Sequence, residues 1–167
     1  MTIEEEIFRQ HRGKSVILDS NLLLLLLIGG FRLRLIANFK RTAKYSIEDF
    51  EVLLRFLGNF SRILTTPHVL TEVSNLANSL PEWQKQEWGE FFRVRIAQLQ
   101  EAHETSAEIA QAPGFVLLGL TDAALSRLAQ NTLLITDDRR LCGYLKALSI
   151  DAYNFDDLLL IRRSLHL

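Results

Sequence analysis

The sequence predicts an α/β fold, a three-layer α/β/α sandwich around a central, mainly parallel sheet. Three observations point there. Short continuous aliphatic runs, such as Ser15-Val16-Ile17-Leu18 and residues 132–135, suit strands covered on both faces. Segments with helical spacing separate those runs, as crossover connections between parallel strands require. No repeat, linker or low-complexity tract divides the 167 residues, so residues 1–167 are read as one domain.

In chain order, residues 4–12 suit a short polar helix, and the first strand at residues 15–18 stops at Asp19-Ser20-Asn21. Any of these three residues can cap the Leu-rich helix that follows. The run from Leu22 to Ile28 is far short of the ~20 apolar residues that span a bilayer, so it reads as a buried helix. Gly29-Gly30 is expected to break or bend it. Residues 32–44 read as a basic helix, carrying Arg32, Arg34, Lys40, Arg41 and Lys44 and no acid. Ser46-Ile47-Glu48-Asp49 has the form of a capping box, opening a helix to about residue 57.

Residues 63–65 suit a second strand, and Pro67 fits the first turn of the next helix. Val69, Leu70, Val73, Leu76, Ala77 and Leu80 give that helix one apolar face. After Pro81, residues 82–108 read as a long amphipathic helix or a pair of helices. Phe115-Val116-Leu117-Leu118 is expected to be a third strand, with Thr121 capping a helix through residue 130. A strand at 132–135, a helix at 138–148, a strand at 150–155 and a closing helix at 156–163 complete the chain.

Composition narrows the function classes only a little. A hydrophobic share of 48% is ordinary for a globular protein, and a net charge of −1 confines any nucleic-acid contact to a local patch. The single cysteine, Cys142, can neither form an internal disulfide nor build a thiolate metal site alone. A reducing cytoplasm suits it, and the acidic opening Met1-Thr2-Ile3-Glu4-Glu5-Glu6 argues against a secretory leader. His11, His103 and His166 are scattered and receive no role; His68 is a possible neighbour of Glu72.

The placement of the acids is more informative. In an open parallel sheet, ligands gather at the carboxyl ends of the strands. Asp19 follows the first strand, Asp137-Asp138 follow the 132–135 strand, Asp122 follows the expected third strand, and Glu72 lies in the second turn of the helix after strand two. Four separate segments thus deliver a carboxylate to one rim. Like-charge repulsion makes that costly unless a cation or bound protons offset it. Oxygen donors without thiolates or paired histidines select Mg²⁺ or Mn²⁺ over zinc. Such an ion can activate water and stabilise charge on a phosphodiester, which is nuclease chemistry. Each acid alone has an ordinary explanation: Asp19, or one of Asp137 and Asp138, as a helix cap, Asp122 as a first-turn acid, Glu72 as a solvated helix position. Their coincidence carries the functional reading.

The same residues resemble the PIN-domain family. Val16-Ile17-Leu18-Asp19-Ser20-Asn21 resembles its opening strand motif, and Thr66-Pro67-His68-Val69-Leu70-Thr71-Glu72-Val73 the segment that places its Glu on a helix. Gly119-Leu120-Thr121-Asp122-Ala123 resembles its third acidic motif, and Leu134-Ile135-Thr136-Asp137-Asp138-Arg139-Arg140-Leu141 its fourth. The order holds over residues 14–155.

The resemblance implies a PIN-like sandwich and a Mg²⁺- or Mn²⁺-dependent ribonuclease acting on single-stranded RNA or flapped nucleic acid. Asp19, Glu72, Asp122 and Asp138 would be its catalytic, metal-holding acids, with Asp137 a second choice for the fourth. Ser20, Asn21 and Thr136 would support them by hydrogen bonding. Arg32, Arg34, Lys40, Arg41, Lys44, Arg139 and Arg140 are candidates for holding the nucleic-acid backbone. The toxin of a toxin–antitoxin pair is a further expectation, with an antitoxin protein and a second copy of the chain as partners and no membrane association. The extra length relative to many such toxins falls at residues 29–57 and 82–108.

Two other classes compete. A phosphoacceptor domain also ends a strand in Asp, but a dehalogenase-like phosphatase expects a second Asp where this chain has Asn21. A catalytically silent PIN-fold module binding protein or RNA is the stronger rival, and it would fail to bind metal.

Overall fold

The computed structural model describes the backbone of residues 3–165 and the side chains of residues 5–160; part of the acidic opening and His166 lie outside these. Five strands form one all-parallel sheet in the order β3-β2-β1-β4-β5. Helices enclose it in a three-layer α/β/α sandwich. Among the described residues, no helix is long and apolar enough to cross a membrane.

Helix α1 (Ile3–His11) sets Phe8 against Phe56 and Phe60, with ring centroids 5.5 and 6.0 Å away. Strand β1 (Ser15–Leu18) is the centre of the sheet, and Val16, Ile17 and Leu18 are fully buried. That is why an unbroken aliphatic run was needed there. Of the three candidate caps, Asp19 is the one that caps α2 (Ser20–Phe31), accepting from the Leu22 N–H at 2.8 Å. Helix α2 is buried on nearly every side and packs against α4 (Ile47–Leu57), α5 (Pro67–Ala77) and α6 (Glu82–Ile96).

The expected break at Gly29-Gly30 does not occur, because α2 runs through both glycines to Phe31. Gly29 serves close packing instead: a Cβ there would lie 2.4 Å from the Phe50 ring of α4. The basic stretch at 32–44 is also not one helix. Only α3 (Leu35–Asn38) is helical, and buried Thr42 then donates its hydroxyl to the Ile36 carbonyl at 2.9 Å, fixing a turn. The capping box at Ser46 and Asp49 starts α4 as the sequence predicts.

Strand β2 (Arg62–Thr65) leads to α5, with Thr66 as cap and Pro67 in the first turn. Residues 82–108 do not stay helical. Helix α6 ends at Ile96, and Gln100–Glu101 form β3, which pairs Leu64 with Gln100 and Thr65 with Glu101. The open edge of β2 needs partners for its backbone groups, and a two-residue strand has no periodicity to betray it. A short helix α7 (Ser106–Ile109) follows.

Residues 115–118, expected as a strand, begin helix α8 (Phe115–Leu128). Val116 is 98% exposed and Leu117 53%, so this apolar run never enters the sheet. Gly119, with φ +79°, splits α8 into two helical pieces, and the second begins before Thr121 rather than being capped by it. Strand β4 (Leu133–Thr136) is fully buried, α9 (Arg139–Ala147) is capped by Asp138, and β5 (Ala152–Asn154) runs into α10 (Phe155–Leu165).

Candidate active site at the carboxyl edge of the sheet

The chain leaves β1 toward β2 on one side, while β4 takes the place on the other. The strand order therefore reverses between β1 and β4, and it is at the carboxyl ends of such a pair that open parallel sheets bind their ligands. The residues immediately after those ends are Asp19 and Asp137-Asp138.

Asp19 is only 6% exposed, held there as the cap of a buried helix. Its Oδ1 accepts from the Leu22 N–H. Its Oδ2 accepts from the Thr136 hydroxyl and, at 2.9 Å, from the Asp137 N–H. Burial first, and then the charge of Asp137, push its carboxyl up to about 7; the three hydrogen bonds work the other way without cancelling this. Thr136 Oγ1 also accepts from the Asp138 N–H at 3.0 Å, so one hydroxyl ties the end of β1 to the start of α9.

The paired acids after β4 have different surroundings. Asp137, with a side chain 4% exposed, accepts from Asn21 Nδ2 at 3.2 Å on one oxygen and from Lys44 Nζ and the Tyr45 hydroxyl on the other. Burial alone would raise its carboxyl, but Lys44, Tyr45 and Asn21 together hold it below the ordinary range. The Tyr45 hydroxyl is pushed strongly up by burial and by Asp137. Asp138 uses only Oδ1, accepting from the Arg140 and Leu141 N–H groups at 2.7 and 3.2 Å. Its other oxygen accepts no hydrogen bond among the described residues.

Glu72 projects from the second turn of α5, where its Oε2 accepts from the Ser20 hydroxyl at 2.9 Å. Asp122 lies just after the Gly119 kink and accepts no hydrogen bond among the described residues. Burial, then the charges of Asp138 and Glu72, raise its carboxyl to about 6, with Arg140 opposing. Glu72 and Asp138 are therefore both near enough to Asp122 for their charges to act on it. All four expected acids, Asp137 and the supporting Ser20, Asn21 and Thr136 stand at one edge. Among the described residues, however, no three acidic, histidine or cysteine side chains are placed so that they already form a cation cage. A wholly carboxylate donor set with two acids raised by burial and then by neighbouring charge fits a hard divalent cation, which would replace the protons such a cluster otherwise retains.

The basic candidates divide. Lys44 is bound to Asp137, Arg32 pairs with Glu87 and lies over the Phe31 and Trp83 rings, and Arg139 pairs with Asp157 at 3.1 Å. Arg34, Lys40, Arg41 and Arg140 are exposed and make no ion pair among the described residues. Tyr45 was missed from the sequence. Its only signal is adjacency to the Ser46 capping box, and its partner lies 92 residues away. His68 Nε2 lies 3.3 Å from the Ser106 hydroxyl and lines a cavity with Glu72. A separate apolar cavity of about 480 Å³, lined by Leu26, Phe50, Phe91 and Arg95 among others, contains no acid and stands apart from this edge.

No protein-family model matches the chain, and no curated protein sequence matches it.

Proposed function

We propose that this chain is a PIN-like nuclease, dependent on Mg²⁺ or Mn²⁺, that hydrolyses phosphodiester bonds of single-stranded RNA. The observation that carries the reading is the set of acids at the switch point of the sheet, where Asp19 and Asp122 are both raised by burial and by neighbouring carboxylates. When bound, the cation would supply a more acidic water and offset charge on the phosphate.

The chain's own residues would divide the work. Asp138, Glu72 and Asp122 each keep an oxygen free of hydrogen bonds among the described residues, and these three with Asp19 would hold the ion. Asp137, already paired with the Lys44 ammonium and bonded to Asn21 and Tyr45, would set the charge beside Asp19 instead. Ser20 and Thr136 hold Glu72 and Asp19 in position. Arg34, Lys40, Arg41 and Arg140 remain open to backbone phosphates, which would make binding weaken with salt.

RNA is the primary partner in this proposal. An antitoxin-type protein covering the acids and a second copy of the chain are further ones. A cytoplasmic setting accords with an RNA substrate and a free, buried Cys142.

One observation favours a second reading. Lys44 is an internal cation against Asp137, and a silent PIN-fold module would use such a counter-ion permanently. The deciding experiment is cleavage of labelled single-stranded RNA with Mn²⁺, Mg²⁺ or EDTA, beside Asp19→Asn. Asn also caps helices, so this variant keeps α2 while removing the charge. Metal-dependent cutting lost in the variant supports the nuclease. Absence of both cutting and Mn²⁺ binding leaves the silent module.

A further inference from the structure

Beside the acids, the carboxyl edge opens into a cavity of about 680 Å³ lined in part by Glu72 and Asp122 themselves. On one side, His68, Thr71 and Asn75 line it from α5, spaced with Glu72 as one helical face. On the other, Leu118 and Leu120 flank Gly119. In an unbroken helix two residues separated by one position point in nearly opposite directions, so the positive φ at Gly119 is what lets both leucines line the same space.

The lining chemistry selects an occupant. No Lys or Arg lines the cavity, so apart from the ion that Glu72 and Asp122 would hold, its walls offer a phosphate no Lys or Arg partner. Leucine walls beside an amide and hydroxyls suit a neutral, planar group with apolar faces and hydrogen-bonding edges. The Asn75 amide offers one donor side and one acceptor side, the pairing that reads a base edge.

We infer that this cavity receives the unpaired base of the nucleotide next to the scissile phosphate. This rests on the reading of the acid cluster as a nuclease centre. A base within a duplex has its pairing edge engaged and its faces stacked, so the cavity admits single strands and excludes paired ones.

The test measures binding and cleavage separately. Short single-stranded RNA oligomers and an abasic ribose-phosphate chain of equal length are titrated in Ca²⁺ against the wild type and Asn75→Leu, while cleavage is followed in Mg²⁺ and Mn²⁺. Asn75 is exposed on α5, so the variant keeps the fold. The abasic chain should bind the wild type at least about fivefold more weakly than the base-bearing oligomers, the lower end of one bidentate base contact. Asn75→Leu should weaken only the base-bearing oligomers, by a similar factor. Equal affinity for both ligands, or an Asn75→Leu effect that is nil or common to both, overturns the base cavity even if RNA is cut. Base-dependent binding without cleavage keeps the cavity and removes the hydrolytic function. Failure of every oligomer to bind overturns both.

Discussion

Thr136 donates its hydroxyl proton to Asp19 while the same oxygen accepts the Asp138 N–H, joining two acidic segments 117 residues apart. Both residues are buried, so neither group can turn to water instead. Thr136→Val keeps the shape of the side chain and removes both bonds. It should destabilise the protein by about 1–3 kcal/mol, the cost of leaving buried polar groups unmatched. Thr136→Ser should recover most of that. Urea denaturation of the three proteins checks it, and a valine variant as stable as wild type would refute the bridge.

The raised carboxyls make stability depend on pH in a definite direction. Asp19 has a folded value of about 7 and Asp122 of about 6, against 3.8 for an ordinary Asp. Between about 4 and about 7 the folded chain holds more protons than the unfolded chain, so the contribution of these two groups to stability falls as pH rises. In EDTA, the melting temperature of wild type should decline across that window more steeply than that of Asp19→Asn or Asp122→Asn. A divalent cation should reverse the decline near pH 7, where it replaces the missing protons. Parallel melting curves for all three proteins would count against the charge cluster.

Lys44 places an ammonium group against Asp137, next to Asp19. Lys44→Gln removes that positive charge and leaves the acids more repulsive. Mn²⁺ affinity should rise by up to about fivefold, the upper range for a partly exposed ion pair, while stability in EDTA falls. Calorimetric titration with Mn²⁺ measures the first effect. Weaker Mn²⁺ binding in the variant would mean that Lys44 organises the site rather than competing for it.

Gly29 separates propensity from packing. Alanine is better than glycine in a helix by about 1 kcal/mol, which favours Gly29→Ala. Its Cβ would nevertheless meet the buried Phe50 ring at 2.4 Å, and overpacking of this kind costs about 1–3 kcal/mol. The substitution should therefore be net destabilising by chemical denaturation. A companion change of Phe50→Leu should relieve part of the loss, and additive effects would show that the two positions do not collide.

Much of the site was legible because it follows strands that had to be buried. Val16 to Leu18 and Leu133 to Ile135 are uniformly apolar because both faces of β1 and β4 are covered, and the first polar residues beyond them lie at the rim. Asp19, Thr136, Asp137 and Asp138 were found on that ground. Glu72 followed from the Thr66-Pro67 start of α5, which fixes the helical phase. Asp122, by contrast, was placed after a strand at 115–118 that is in fact helix. By itself, then, the sequence determined the α/β class, the central strands, the cap at Ser46, the helix start at Thr66-Pro67 and the segments that supply Asp19, Glu72, Asp137 and Asp138. Local patterns of burial and capping encode these directly. It did not determine the edge strand at Gln100–Glu101, the helical state of residues 115–118, the passage of α2 through Gly29-Gly30, or the grip of Lys44 and Tyr45 on Asp137. Only the tertiary structure decided those, because each depends on what the folded chain brings against the segment: an unpaired strand edge, packing that covers Phe115 and Leu118 while Val116 and Leu117 face solvent, a ring that needs the space of a missing Cβ, and a carboxylate that needs a counter-charge.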